Sequence, residues 1–509
     1  MPRYSYERLT ALDNSFLVLE QPDAYMHVAS TQTFDAGPLK RSDGGIDADR
    51  IKKLIASALH RIPRYRQKLV WTPIYNNPVW VDDDRFNLDF HVRHTSLPRP
   101  GDEEQLKLLS ARIMQQHLDR RRPLWEMWIV EGLEGDRMAI VSKVHHCMID
   151  GVSGVDIMMV LMSLTPDPVA LEPAQPYIPR PAPSSAELIR HESMRWASLP
   201  LRALRGVGHL VSEAQDLRRQ MVTASRAAAV TFGSSLRPPS ATPINGRVGP
   251  HRRFNWMRMD LAEIKKMRKV LGGSLNDVVL TIVTGAVRRL MIQRQVRPEE
   301  LDFRIMAPVS VRSADEEGKL GNRVSAWIVE LPIGEEDPVK QLTTISARTH
   351  ALKEAKGAVA AEMLMQAAEW TPSTVLSLAG RNVSRMLPFN MVVTNVPGPQ
   401  FPVYLDGAKL LDAFPHVPLT DSLGLGIALM SYDGKLCWGF NADYDLVPDL
   451  AGFAADVQAA FEDLRKLVPA PAPETSSVEA KRSKSADGGT DGNGKVTRTR
   501  RSPGGTARS

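Results

Sequence analysis

The chain has very little cysteine. Cys147 and Cys437 are the two it carries in 509 residues, too few for a disulfide framework, and nothing else argues for an oxidising compartment. Long apolar runs are also missing. No stretch approaches the roughly 20 apolar residues of a membrane-spanning helix, and the best run, 155–164, contains Asp156. The opening MPRYSYERLT places Arg3, Glu7 and Arg8 where a signal peptide needs an apolar core. These absences lead to the expectation of a cytoplasmic protein. Strong charge is absent too, once the net +6 is divided. Residues 470–509 hold eight Lys or Arg against four Asp or Glu, so the remainder carries only +2. A near-neutral folded part does not fit a nucleic-acid enzyme. The basic tail suits an anionic membrane surface or is simply solvated.

What is present is a chain long enough for two or three units, with 43% hydrophobic residues to fill their cores. Proline-rich 165–185 and 236–250 interrupt it, and from 469 apolar residues almost vanish. The divisions expected are therefore a first lobe at 1–165, a crossover at 166–250, a second lobe at 251–468 and a disordered basic tail at 469–509. Periodicity predicts helices over 47–60, 103–118, 261–271, 276–293 and 449–467. Strands are predicted at 78–81, 125–131, 138–145, 303–309, 324–331 and 390–395. A hairpin is predicted at 423–443, closed around Asp433-Gly434. Both lobes thus mix α and β. Within the crossover, Leu201, Leu204, Val207, Leu210, Val211, Ala214, Leu217 and Met221 recur at three- and four-residue intervals. That stripe makes an amphipathic helix, which packs against the lobes or lies on a lipid surface.

The most informative stretch is MAIVSKVHHCMIDGVSGVDIMM at 138–159. An apolar strand ends in His145-His146, and Asp150-Gly151 leads into a helix whose start is marked by Ser153 and Asp156 at capping-box spacing. Adjacent strand residues point to opposite faces. The two imidazoles are therefore poorly placed to chelate one ion, and no other ligand set shows metal spacing. The same alternation turns Cys147 away from His146, against a thiol nucleophile. General base catalysis by one imidazole, largely neutral near pH 7, remains.

HHCMIDG resembles the HHxxxDG motif of coenzyme A-dependent acyltransferases and peptide-synthetase condensation domains. The flanks narrow the resemblance. LTALDNSFLVLEQPDAYMHVAS (9–30), Arg122-Pro123-Leu124-Trp125-Glu126, Ser274-Leu275-Asn276-Asp277-Val278, Ala307-Pro308-Val309-Ser310-Val311-Arg312 and Thr394-Asn395-Val396-Pro397-Gly398-Pro399 look like successive blocks of the bacterial wax ester synthase/diacylglycerol acyltransferase family. The likeness runs from about 5 to 467. It implies an α/β (α+β) fold with two chloramphenicol acetyltransferase-like lobes and a central channel at their interface. It also implies direct transfer without an acyl-enzyme, His146 being the general base and His145 a supporting residue.

Asp150 then holds the motif loop through an arginine elsewhere, and Gly151 allows the tight turn. Pro123, Leu124 and Trp125 brace the motif strand or line the acyl channel. Asn276 and Asp277 either bind substrate or cap a helix. Thr394 and Asn395 contribute to the site or only to a turn. The expected substrates are acyl-CoA with diacylglycerol or a long-chain alcohol, giving triacylglycerol or wax ester, with no metal and no further cofactor. Peripheral contact with an anionic membrane or lipid inclusion is expected. Two rivals stand beside this reading: an acyl-carrier donor, and a catalytically silent lipid-surface protein.

Overall fold

The computed structural model describes residues 6–148, 157–168, 170, 173–195, 197, 238–310, 324–354, 387–420 and 422–469. The stripe at 201–221 and the tail from 470 lie outside the described residues. Up to residue 468 the described residues belong to one compact unit.

The first half supplies strands β1 (Tyr6–Arg8), β2 (His27–Asp35), β3 (Gln67–Trp71), β4 (Pro78–Asp82), β5 (Val92–Ser96), β6 (Trp125–Leu133), β7 (Arg137–His145) and β8 (Met162–Ser163). Its helices are α1 (Ala11–Leu19), α2 (Ala48–Ala58), α3 (Leu88–His91), α4 (Glu103–Met114) and α5 (Ile157–Leu161). The second half adds β9 (Arg252–Asp260), β10 (Phe303–Ser310), β11 (Val324–Leu331), β12 (Met391–Pro397), β13 (Tyr404–Leu405), β14 (Ala408–His416), β15 (Leu425–Tyr432) and β16 (Lys435–Asp443). With them come α6 (Leu261–Leu271), α7 (Leu275–Gln293), α8 (Pro338–Glu354) and α9 (Leu450–Lys466).

Local chemistry explains the boundaries. Asp47 caps α2 by accepting from the Arg50 N–H at 3.0 Å, and Asp102 and Gln105 form a capping box on α4. Asp433 and Gly434 have φ of 42° and 79°, the left-handed pair that closes a tight hairpin, and β15 and β16 pair around them through Tyr432↔Lys435. The apolar run of α7 is buried nearly all round, packed among α8, α9 and the second sheet. No single helix among the described residues is long and apolar enough to cross a membrane.

Three sheets result. One is a six-stranded mixed sheet, β11-β10-β12-β15-β16-β9, and another is the small β1-β4-β3. The third has seven strands in the order β5-β6-β7-β2-β14-β13-β8. The last order runs across the linear division at 251. Strands β13 and β14 come from the second half, yet β14 pairs along β2 and completes the first lobe's sheet. Main-chain pairing overrode the compositional break. The proline-rich crossover is also tied down: Arg180 grips Asp82 of β4 through two bonds of 2.8 and 2.9 Å, and Tyr177 Oη donates to the Arg66 carbonyl at 3.0 Å.

The halves are joined by charge and by aromatic packing. Arg258 of β9 donates to Glu103 at the start of α4 (2.8 Å) and to Asp412 of β14 (3.0 Å). Burial alone would raise the Glu103 carboxyl, but Arg258, Trp256 and Arg137 outweigh it and hold it down to about 2. Nearby, Phe254 stacks on His416 at 3.3 Å, and Trp256 on Phe414 at 4.7 Å.

Several buried imidazoles bear on stability. Burial pushes His91 down to about 4 and His416 down to about 3, and lowers His27 well below its ordinary range. An unfolded imidazole takes a proton near about 6.5. Between that pH and about 4 the unfolded chain therefore binds more protons than the folded one, and stability present above about 6.5 drains away as pH falls. The urea unfolding midpoint is expected to drop steadily from pH 7 to pH 4. A midpoint constant across that range would contradict this account.

Candidate active site

Strand β7 runs between β6 and β2, with His145 opposite His27 and Val144 opposite Trp125. Its end is clasped on both sides. The His145 N–H donates to the Leu124 carbonyl at 2.9 Å, and the His146 N–H to the Met26 carbonyl at 2.8 Å. The chain then enters a 3-10 turn, His146–Met148.

The Pro123-Leu124-Trp125 block is the brace on one side. Leu124 and Trp125 are buried in the first-lobe core. The Trp125 indole N–H donates to the Tyr65 carbonyl at 2.8 Å, while its own carbonyl accepts from His91 Nδ1 at 2.8 Å. His91 also stacks flat on the Trp125 ring at 4.7 Å. With its indole enclosed and its N–H used, Trp125 braces the strand end.

The two histidines have different surroundings. His145 is 1% exposed, and its Nδ1 accepts from the Cys147 N–H at 3.1 Å. Its Nε2 meets the Glu20 carboxylate, at the residue that ends α1. Arg120 lies 3.4 Å from the other oxygen of Glu20. Burial would raise the Glu20 carboxyl, but the bond to His145 and the charge of Arg120 leave it lowered.

His146 is partly exposed, and its ring lies nearly parallel to Phe16 of α1, with centroids 3.8 Å apart. Among the described residues its buried Nδ1 has no hydrogen-bond partner. Burial pushes this imidazole down to about 4; its own backbone opposes the shift and neighbouring His145 adds to it. The ring is therefore neutral near pH 7. Cys147 is fully enclosed, and burial pushes its thiol well above the ordinary range, so it stays protonated.

The remaining expected residues fall elsewhere. Asp150, Gly151, Ser153 and Asp156 lie outside the described residues. Asp277 is buried at the start of α7. Its oxygens accept from the Ser274 N–H at 2.7 Å and from the Thr349 hydroxyl at 2.8 Å. Of the two roles open to Asp277, these bonds are those of a helix cap that also packs against α8. Asn276 is partly buried beside it. Thr394 and Asn395 sit partly buried within β12, beside Ala428 and Leu429 of β15. No hydrogen bond or ring contact among the described residues joins Asn276, Thr394 or Asn395 to His146. No group of three or more His, Cys, Asp or Glu among the described residues could hold a metal ion.

Phe16 and Glu20 escaped sequence reasoning, although both lie in the 9–30 block. A cavity of about 470 Å³ opens beside the same block, lined by Gln21, Asp23, Arg247 and Ser422 among others.

Residues 9–279 match the wax ester synthase/diacylglycerol acyltransferase catalytic domain, and 320–465 match the WS/DGAT C-terminal domain. The chain belongs to the wax ester synthase/diacylglycerol acyltransferase family. It is an acyltransferase of the kind that esterifies diacylglycerol or alcohols. A probable diacylglycerol O-acyltransferase of Mycobacterium tuberculosis is 33% identical over 466 residues, covering 90% of this chain and 95% of its own. Among solved structures, the wax ester synthase/diacylglycerol acyltransferase of Marinobacter aquaeolei VT8 superposes with a TM-score of 0.66 at 22% identity, over 91% of this chain and 99% of that one. A starter condensation domain of rhizomide synthetase, solved with C8-CoA, shares the fold with a TM-score of 0.55 at 11% identity, over 91% and 94%. The two-lobed α/β architecture implied by the family resemblance is thus the one observed.

Phe16 supplies much of the apolar cover over the family's second motif histidine. Replacing it by alanine admits water, which raises the His146 pKa from about 4 toward the ordinary value of about 6.5. The acid limb of the rate profile should then move to higher pH by more than one unit in Phe16→Ala. An acid limb left in place would contradict this assignment.

Proposed function

We propose that the acyl donor is acyl-CoA and that His146 is the general base for its transfer to the hydroxyl of diacylglycerol or a long-chain alcohol. The observation that carries this reading is a neutral imidazole whose Nδ1 is enclosed while the residue stays partly exposed. Nε2 takes the acceptor's proton as the oxygen attacks the thioester carbonyl. The tetrahedral intermediate collapses, the carbon–sulfur bond breaks, and the imidazolium returns its proton to the CoA thiolate. The products are the ester and free CoA. No acyl-enzyme is required, and the buried, protonated Cys147 offers no alternative nucleophile.

Further support comes from the cavity wall Gln21–Ala24, which joins Glu20 to Tyr25 and Met26 and so connects directly to the two residues that hold the histidine pair. A condensation domain of the same fold is known with C8-CoA. The basic tail and the apolar stripe at 201–221 favour peripheral attachment to an anionic membrane or lipid inclusion on its cytoplasmic side.

With purified protein, labelled acyl-CoA plus diacylglycerol or hexadecanol should give neutral lipid. His146→Ala should lose about 10²-fold or more of that activity with an unchanged circular dichroism spectrum. Turnover with an acyl carrier protein but not with acyl-CoA would overturn the donor, and an active His146→Ala would overturn the base. Flotation with anionic liposomes should carry the full chain upward and lose it when 201–221 and 470–509 are deleted. Equal flotation of the deletion variant would contradict attachment through those segments.

A further inference from the structure

The reading of His146 as base leaves unexplained why a carboxylate is buried against the other histidine. We propose that Glu20 is a positioning residue for the reaction: through His145 it fixes the turn that presents His146. The inference rests on His146 being the base.

The chain of contacts is short. The Cys147 N–H donates to His145 Nδ1 at 3.1 Å, so that nitrogen carries no proton. The ring proton must therefore sit on Nε2, which faces Glu20. Which nitrogen of an imidazole is protonated is set by the bond the other one makes, and here both bonds agree. Glu20 is 7% exposed at its side chain, and Arg120 contacts its second oxygen. Its carboxyl is lowered despite burial, so the acceptor facing His145 is an anion. The same Glu20 closes α1, whose Phe16 lies against His146. One carboxylate thus ties together the tautomer of His145, the backbone of the turn through Cys147, and the helix that covers the base.

Without the charge, the His145 proton can move to Nδ1, where it confronts the Cys147 N–H and breaks that bond. The turn His146–Met148 then shifts relative to Phe16. Displacements of about 1 Å at a reacting group cost up to about 10²-fold in rate. No bond to substrate is involved, so substrate binding should be spared.

The test is kinetic and spectroscopic. Glu20→Gln, nearly isosteric, should lower kcat about tenfold or more while the KM values for acyl-CoA and diacylglycerol stay within about twofold. The double variant Glu20→Gln/His145→Gln should be no slower than the slower single, because both remove one coupled unit. Nitrogen-15 spectra of histidine-labelled protein should show His145 as the Nε2–H tautomer in the wild type and as a tautomer mixture in Glu20→Gln. Wild-type kcat in Glu20→Gln beside an inactive His146→Ala would overturn the role of Glu20 alone, as would losses that multiply in the double variant. An active His146→Ala would remove the base itself, and this inference with it.

Discussion

A strand that ends in two consecutive histidines turns their side chains in different directions, and the pairing of the buried His145 with Glu20 anchors that strand end. One ring is taken inward, where a carboxylate and a backbone N–H satisfy both of its nitrogens. The other is left at the start of a tight turn, with apolar cover and part of its surface open. Burial of an unpaired polar group costs free energy, and among the described residues Nδ1 of His146 has no hydrogen-bond partner. The same low-polarity surroundings keep His146 uncharged near pH 7, the state a general base requires.

Everything that holds this strand end comes from a distance along the chain. The Met26 and Leu124 carbonyls clasp it from either side, and β2, which follows Met26, is itself held by β14 from the second half. Thr31 of β2 contacts Ser110 and His416, and Thr33 contacts Asp412, so these two residues tie the strand to the lobe junction. Arg258 fastens the same junction from β9. The turn that carries the histidine motif is thus supported by both halves.

Much of this was legible from the residues. Helices α2 and α4, the hairpin β15–β16 and the strands β6 and β7 show clean apolar periods, and their caps and turn residues agree with them, so local and tertiary preferences coincide. Two elements next to the site were not legible. Strand β2, HVASTQTFD, is rich in polar residues, and its His27, Thr31, Gln32 and Thr33 are buried rather than facing solvent, which hides its period. Helix α1 is short, and its contacts with the motif join Phe16 and Glu20 to residues about 125 positions away. No spacing rule reaches that far, although both residues stand within a block that marks the family. Asp277 shows the opposite case: its place in a recognisable motif suggested chemistry, while Ser274 three residues earlier already announced a capping box.

The central claim is an imidazole at position 146 that is reachable and uncharged. The most direct measurement is a pH titration of its ring nitrogens by nitrogen-15 spectroscopy, assigned with His146→Ala. The account predicts a neutral ring from pH 8 down to about 4. Protonation near about 6.5, the value of a solvated histidine, would contradict it.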